Sequence, residues 1–257
     1  MLFVLKRLTH FKSMARVMGK SSPPPESFFD ALPKELLEAL FAEALTIALS
    51  AGQVLFSAGA KGDGCYRIEK GLLKATVAEP GGGERILAVL GPGSVVGELS
   101  MIDDAPRSAS VIALRETKLS FISSTVFKAF GERRPELYRY LTTLLAQRLR
   151  YTNDIVAASF LSLKGRVARA LLSLVDQFGR DVGQGRIVIQ QKLSQSDIAA
   201  IAGVARENVS RVLHEWEDRS LLTRLSGYYC VEDKEILKRE AEDYAAGRHR
   251  SAPRTQL

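Results

Sequence analysis

Between Leu45 and Ser123 apolar and polar residues alternate in short runs. Leu73, Ala75 and Val77 are separated by Lys74 and Thr76, and Ile86, Ala88 and Leu90 follow with the same period of two. The runs stop at turn-forming punctuation: Ala51-Gly52, Gly59, Lys61-Gly62-Asp63-Gly64, Pro80-Gly81-Gly82-Gly83 and Gly91-Pro92-Gly93. A period of two sends successive side chains to opposite faces of a strand. Evenly spaced short strands closed by turns predict an antiparallel sandwich or barrel of about 80 residues.

Helical periods flank this segment. Pro33 opens a short helix from Lys34 to about Ala44, apolar at Leu36, Leu37, Leu40 and Phe41. At Ser124 the period changes to 3.6. Val126, Phe127 and Phe130 share a short helix that Gly131 is expected to end, and Pro135 opens a long one reaching about Ser159. Along it Leu137, Leu141, Leu144, Arg148, Tyr151 and Ile155 follow 4-3-4-3-4 spacing, a heptad seam. Such a seam is served by a second copy of the chain, predicting a homodimer; packing against the sandwich is the alternative.

The C-terminal part reads as helical pieces and a hairpin. Ser194-Gln195-Ser196-Asp197 has the Ser-x-x-Asp form of a capping box ahead of Ile198, Ala199 and Ile201. Gly203 closes that helix, and a second runs from about Arg206 to Arg219. Two short helices around Ala202-Gly203-Val204 make a helix-turn-helix. On the second, Val209, Val212, Leu213 and Trp216 form an apolar stripe, and Glu207, Ser210, Arg211 and His214 lie on another side with Arg206 at the start. Arginine suits guanine O6 and N7, and glutamate accepts from cytosine N4. The competing reading is an intrahelical Glu207–Arg211 pair, worth a few tenths of a kcal/mol. Ala205 is a poor N-cap, costing about 1 kcal/mol. A hairpin at Ser226-Gly227 and a helix near Lys234–Ala246 finish the chain. The expected division is a leader and linker at 1–27, a β domain at 28–134, a dimerisation helix at 135–160 and a DNA-binding domain at 161–257.

Charge sharpens this picture. The 257 residues carry a net +7, distributed as +5 over residues 1–20, −1 over 21–163 and +3 over 164–257. A basic C-terminal part points to a polyanion partner. The leader reads as a basic amphipathic helix, Leu2, Leu5 and Leu8 opposing Lys6, Arg7 and Lys12, closed off by Ser21-Ser22-Pro23-Pro24-Pro25. A membrane-surface or nucleic-acid arm, a disordered tail, and a true start at Met14 or Met18 all stay open for it. No run of about 18 apolar residues predicts a membrane span. Cys65 and Cys230 are too few for a disulfide framework or an iron–sulfur cluster, and fit a reducing cytoplasm. His10, His214 and His249 offer the β segment no haem ligand. No metal site and no catalytic triad can be assigned.

The string Gly97-Glu98-Leu99-Ser100-Met101-Ile102-Asp103-Asp104-Ala105-Pro106-Arg107-Ser108-Ala109-Ser110-Val111 resembles the phosphate-binding cassette of cyclic-nucleotide-binding domains. The string Arg206-Glu207-Asn208-Val209-Ser210-Arg211-Val212-Leu213 resembles a recognition helix of pattern R-E-T-V-x-R-x-L. From about Phe28 to Ile236 the chain resembles the catabolite activator protein/FNR family of bacterial transcription regulators. That resemblance implies an α+β protein: a β-sandwich or jelly-roll cyclic-nucleotide-binding domain, a long dimerisation helix and a winged helix-turn-helix. It implies a non-enzymatic homodimer whose effector is a cyclic nucleotide. Its partners would be double-stranded DNA at a TGTGA-like palindrome, and RNA polymerase.

Burying a cyclic phosphodiester demands compensating charge and donors. Arg107 offers a planar fork, Ser108 a hydroxyl, and the turn at Gly97 would aim backbone N–H groups near Leu99 at the phosphate. Glu98 can accept from a ribose hydroxyl and hold Arg107. The alternative is a surface Glu–Arg pair worth almost nothing. Thr152 and Asn153 stand where the family reads the base from the long helix. Asn153 departs from the family's Thr-Ser and could suit adenine or guanine. Cyclic AMP is the first expectation and cyclic GMP stays open; both residues could instead be polar seam positions. Two wider alternatives are a vestigial pocket with constitutive DNA binding, and a regulatory module of an enzyme.

Overall fold

In the computed structural model, residues 33–79 and 82–242 are described; the leader, the proline-rich linker and the segment after Glu242 lie outside them, as do Pro80, Gly81 and the side chains of Lys34 and Leu144. The alternating segment folds into two four-stranded antiparallel sheets. One has the order β1 (Leu45–Leu49), β8 (Thr117–Ser123), β3 (Gly64–Lys70), β6 (Val95–Val96). The other runs β2 (Val54–Phe56), β7 (Ser110–Ala113), β4 (Leu73–Ala78), β5 (Glu84–Leu90). Their facing sides bury Leu49, Tyr66, Ile68, Leu73, Val96, Val111, Ala113 and Leu119, the interior of a sandwich.

The first helix, α1 (Lys34–Leu40), is shorter than the periodicity predicts, giving way to a turn at Phe41. Its Leu36, Leu37 and Leu40 pack on the outer side of the first sheet with Phe127 and Phe130 of α3 (Ser124–Arg133) and Leu137 and Leu141 of α4 (Glu136–Ala158). A four-residue helix, α2 (Leu99–Ile102), lies between β6 and β7. Gly131 does not end α3, which continues to Arg133. A Cβ there would lie 2.5 Å from the Tyr138 hydroxyl, so this glycine serves close packing of α3 on α4.

The long helix corrects the expected seam. Leu137 and Leu141 are fully buried against the β domain, Arg148 turns toward the cassette, and burial raises the Tyr151 phenol pKa. That row serves the chain's own body. A neighbouring row starts at Tyr138, which packs on Gly131, and continues with the same spacing through Thr142, Leu145, Leu149, Thr152 and Val156; Leu145 is half-buried, while Leu149 at 63% and Val156 at 56% exposure face outward.

The C-terminal part comprises α5 (Leu163–Phe178), α6 (Gln195–Ala202), α7 (Arg206–Asp218), α8 (Lys234–Glu242) and a sheet ordered β11 (Leu222–Leu225), β12 (Tyr228–Val231), β10 (Ile187–Ile189), β9 (Gly179–Asp181). The short strands β9 and β10 depart from the expected helical pieces, although Ile187-Val188-Ile189 is a β-branched run behind Gly183 and Gly185. The capping box is formed: Ser194 Oγ accepts from Asp197 N–H at 3.1 Å, and Asp197 Oδ2 accepts from Ser194 N–H at 2.9 Å. Gly203 ends α6 in the left-handed region at φ 61°, and Ala205 supplies no side-chain cap to α7.

The core of this part includes side chains from the β domain. β4 and β5 stay in register from Leu73 opposite Leu90 to Ala75 opposite Ala88, and then Thr76 stands opposite Ile86. Leu87 is an extra residue, and a bulge moves later side chains to the other face. The expected row Ile86, Ala88, Leu90 is therefore broken. Ile86 and Val89 are buried instead, with Leu72, against Leu171, Ile198, Ala199, Ala202 and Trp216. Ile86→Ala should cost ~2–4 kcal/mol. Trp216, the sole tryptophan, sits in the same cluster at 1% exposure. Its fluorescence in a urea titration should show the lower midpoint; an unchanged midpoint would separate the hairpin from this core.

Candidate functional site

The cassette is built where β6 runs into α2. Gly97 has φ +84°, and a Cβ there would lie 2.4 Å from Arg107 Nη1. Glycine is required twice, for the backbone conformation and for the guanidinium packed on it. Arg107 is 3% exposed. Its Nη1 donates to Gly97 O at 2.6 Å, and its Nη2 donates to Asp63 Oδ1 at 2.6 Å and Gly64 O at 2.9 Å. The Phe56 ring lies 4.3 Å from the guanidinium carbon, and the Tyr66 ring 5.9 Å. Arg107 Nε is buried with no partner. The Tyr66 hydroxyl donates to Asp63 at 3.2 Å; burial, then the Asp63 carboxylate, pushes its pKa up to about 12.

Glu98 does not hold Arg107, contrary to the expectation from sequence. It is 1% exposed, and its Oε1 accepts from Arg148 Nη1 of α4; Arg148 Nη2 also donates to Val95 O at 3.2 Å. Glu98 Oε2 has no hydrogen-bond partner. Arg107 Nε and Glu98 Oε2 are thus two buried polar atoms left without partners among the described residues. Burial raises the Cys65 thiol pKa well above its ordinary value, with the Glu98 charge acting the same way. Leu99 opens α2 and is half-buried, while Ser108 is exposed. Thr152 and Asn153 are exposed on α4, about one turn beyond Arg148. Arg148 and Asp63 had no assigned role in the site from sequence: they lie 50 and 44 positions from the residues they pair with.

At the other end, α7 presents Arg206, Glu207, Arg211 and His214 to solvent, with Ser210 half-buried, while Val209, Val212, Leu213 and Trp216 hold it to the core. Where the competing reading had a Glu207–Arg211 pair, Arg211 Nη2 donates to Asn208 Oδ1 at 2.5 Å. His214 Nδ1 lies 3.7 Å from Glu217. Lys192, just before the capping box, rests over the Tyr228 ring at 5.1 Å. A cleft of about 610 Å³ opens away from the cassette, between the β4–β5 hairpin (Lys74, Glu79, Glu84) and the helix-turn-helix (Ser196, Gly203, Arg206). There Arg166 Nε donates to Ala202 O at 3.0 Å, and its guanidinium also donates to Gly203 O, covering carbonyls at the end of α6. Burial, then the nearby Arg85, lowers the Arg166 pKa.

No helix among the described residues is long and apolar enough to cross a membrane, and no group of three or more His, Cys, Asp or Glu among them could hold a metal ion.

The Glu98–Arg148 pair is the structural tie between cassette and long helix. Arg148→Met leaves a buried carboxylate unpaired and should cost ~3 kcal/mol, most of it regained in Glu98→Gln/Arg148→Met. Denaturant titration of the four proteins checks this; additive single effects would show that the two side chains do not interact.

Residues 46–134 match the model of the cyclic nucleotide-binding domain, and residues 165–240 that of the Crp-like helix-turn-helix domain. A CRP-like cAMP-activated global transcriptional regulator from Mycobacterium tuberculosis is 31% identical over 214 residues, 83% of this chain and 95% of that protein. The cyclic AMP receptor protein of Thermus thermophilus is 34% identical over 188 residues, 73% of this chain and 83% of its own. A solved Thermus thermophilus transcriptional regulator of the CRP/FNR family superposes with a TM-score of 0.63 at 25% identity, covering 78% of this chain and all of the other. With a cyclic-nucleotide-binding β domain ahead of a Crp-like helix-turn-helix, and relatives matched along most of their length, this chain belongs to the CRP/FNR family of transcription regulators.

Proposed function

We propose that this chain is a cytoplasmic, homodimeric regulator that binds cyclic AMP at the cassette and thereby tunes its affinity for a palindromic DNA site. One observation carries the reading: the ion pair from Glu98, buried in the cassette, to Arg148 of α4, the helix that leads into the DNA-reading part. A ligand hydroxyl donating to Glu98 would share one carboxylate with Arg148, which links occupancy of the cassette to α4. The names of the Mycobacterium tuberculosis and Thermus thermophilus relatives favour cyclic AMP over cyclic GMP.

In this reading Arg107 takes the phosphate with Ser108 and the backbone at Gly97 and Leu99, and Glu98 takes the ribose. Thr152 and Asn153 read the base. The dimer forms along the outward row of Leu145, Leu149 and Val156, not the row that packs inward. Leu149 and Val156, exposed on a 23-residue helix with Leu145 half-buried beside them, support a second copy as the partner. Arg206, Glu207, Ser210, Arg211 and His214 face the major groove, Lys192 suits a phosphate, and RNA polymerase is the downstream partner. Domain limits near residues 134 and 160 fit this division of labour.

Two measurements test the reading. Fluorescence anisotropy with a labelled palindrome, with and without cyclic AMP, should show nucleotide-dependent binding. Arg107→Leu should weaken cyclic AMP binding by at least ~2 kcal/mol, and Asn153→Ala should change the ratio of cyclic AMP to cyclic GMP affinity. DNA binding that ignores the nucleotide would make the cassette vestigial.

The second is selection from random DNA. It should return a near-palindrome with half-site centres about 34 Å apart. Arg206→Ala should lose ~1–3 kcal/mol and relax the preference at one position, whereas Lys192→Ala should weaken all sequences about equally and flatten the salt dependence. A consensus unmoved by Arg206→Ala would remove α7 from base reading.

A further inference from the structure

The Nη1 and Nη2 donors of Arg107 find partners within the fold. Asp63 Oδ1 and Gly64 O accept from Nη2, Gly97 O accepts from Nη1, and Phe56 flanks the guanidinium. The two backbone carbonyls are fixed by the fold and carry no charge. Asp63 differs in both respects. Its side chain is 64% exposed against 1% for that of Arg107, and it brings the full negative charge that neutralises the buried cation. Asp63 sits on the β3 side of the site, in the turn Lys61-Gly62-Asp63-Gly64, and its side chain also accepts from the Tyr66 hydroxyl at 3.2 Å.

We infer that Asp63 is an internal counter-anion that weakens the affinity of the cassette for an anionic ligand, and so sets the concentration at which it fills. This rests on the reading of the cassette as a phosphate site. An incoming phosphodiester meets a guanidinium whose charge is already balanced, and a carboxylate beside it. Unless Asp63 swings out into solvent, two anions share one cation. Either course subtracts from the Coulomb gain that a bare buried guanidinium would offer. The pairing also offsets the cost of burying a cation to 3% exposure, since an unpaired charge there would be strongly destabilising.

The charge and the hydrogen bond of Asp63 can be separated. In Asp63→Asn an amide oxygen still accepts from Arg107 Nη2 and the amide N–H₂ can donate to the Tyr66 hydroxyl, so orientation is kept and only the charge is lost. In Asp63→Ala both are lost. Calorimetric titration of the full chain with cyclic AMP, and with adenosine as a ligand lacking the phosphate, distinguishes the roles. Asp63→Asn should bind cyclic AMP at least about fivefold more tightly than the parent, with adenosine affinity changed less than about twofold. Asp63→Ala should gain less than Asp63→Asn because Arg107 loses an anchor. Free Asp63→Asn should also melt below the parent, and saturating cyclic AMP should raise its melting temperature by more.

Parent binding with Asp63→Asn no tighter, or weaker, would overturn the counter-anion role and leave Asp63 as an orienting residue. Equal tightening toward adenosine would overturn it as well, because the effect would not be electrostatic. A parent that binds nothing while Asp63→Asn binds cyclic AMP supports the role in its strongest form. Failure of both to bind would remove the nucleotide reading of the cassette, and this inference with it.

Discussion

Two opposite charges are buried side by side in the cassette, and neither neutralises the other. Glu98 is paired with Arg148 from the long helix, and Arg107 with Asp63 from the turn before β3. A buried charge must find its counter-charge somewhere, and here each search ends on a different element. That division ties four pieces of chain together: the β6–α2 turn, the approach to β7, the turn before β3 and the middle of α4. It also accounts for the local backbone. Gly97 is left-handed and bare because the Arg107 guanidinium lies where its side chain would be. The carbonyls of Gly64 and Gly97 take the remaining donors. Electrostatics, more than apolar packing, decides the shape of this corner.

The long helix then has two obligations at once. One row of side chains binds it to its own protomer through Leu137, Leu141 and Arg148, and another offers Leu149 and Val156 outward. Because the rows are offset by one residue, a rotation of α4 that improves one contact degrades the other. In the proposed reading, a helix so placed is what would link the cassette to a partner on its outer side.

What could be read directly from the residues was local. The Ser194–Asp197 capping box, the left-handed Gly203, the hairpin at Ser226-Gly227 and the start of α4 after Pro135 each depend on a few neighbouring residues, and the structure has them all. The cassette string and the recognition-helix string were legible as motifs. The pairings inside the cassette were not, since Asp63–Arg107 and Glu98–Arg148 join positions 44 and 50 apart and two short motifs carry no record of who faces whom. The phase of the seam was also hidden. Both rows on α4 have the same spacing, and the outward one includes Thr142 and Thr152, which makes it look the more polar. The bulge at Leu87 leaves no mark in composition: an unbroken period of two places Ile86 with Ala88 and Leu90, while the folded strand buries it with Val89.

That bulge bears on how such a protein can be taken apart. Leu72, Ile86 and Val89 belong by sequence to the sensor and by burial to the reader. A cut anywhere along α4 would strip three apolar side chains from one fragment and leave them bare on the other. The chain looks like two modules joined by a helix, yet its interior runs across the joint. A chimaera that grafts this reader onto another sensor inherits a hole unless the new hairpin carries the same bulge and fills it. The exchangeable unit is therefore the reader together with the hairpin that completes it.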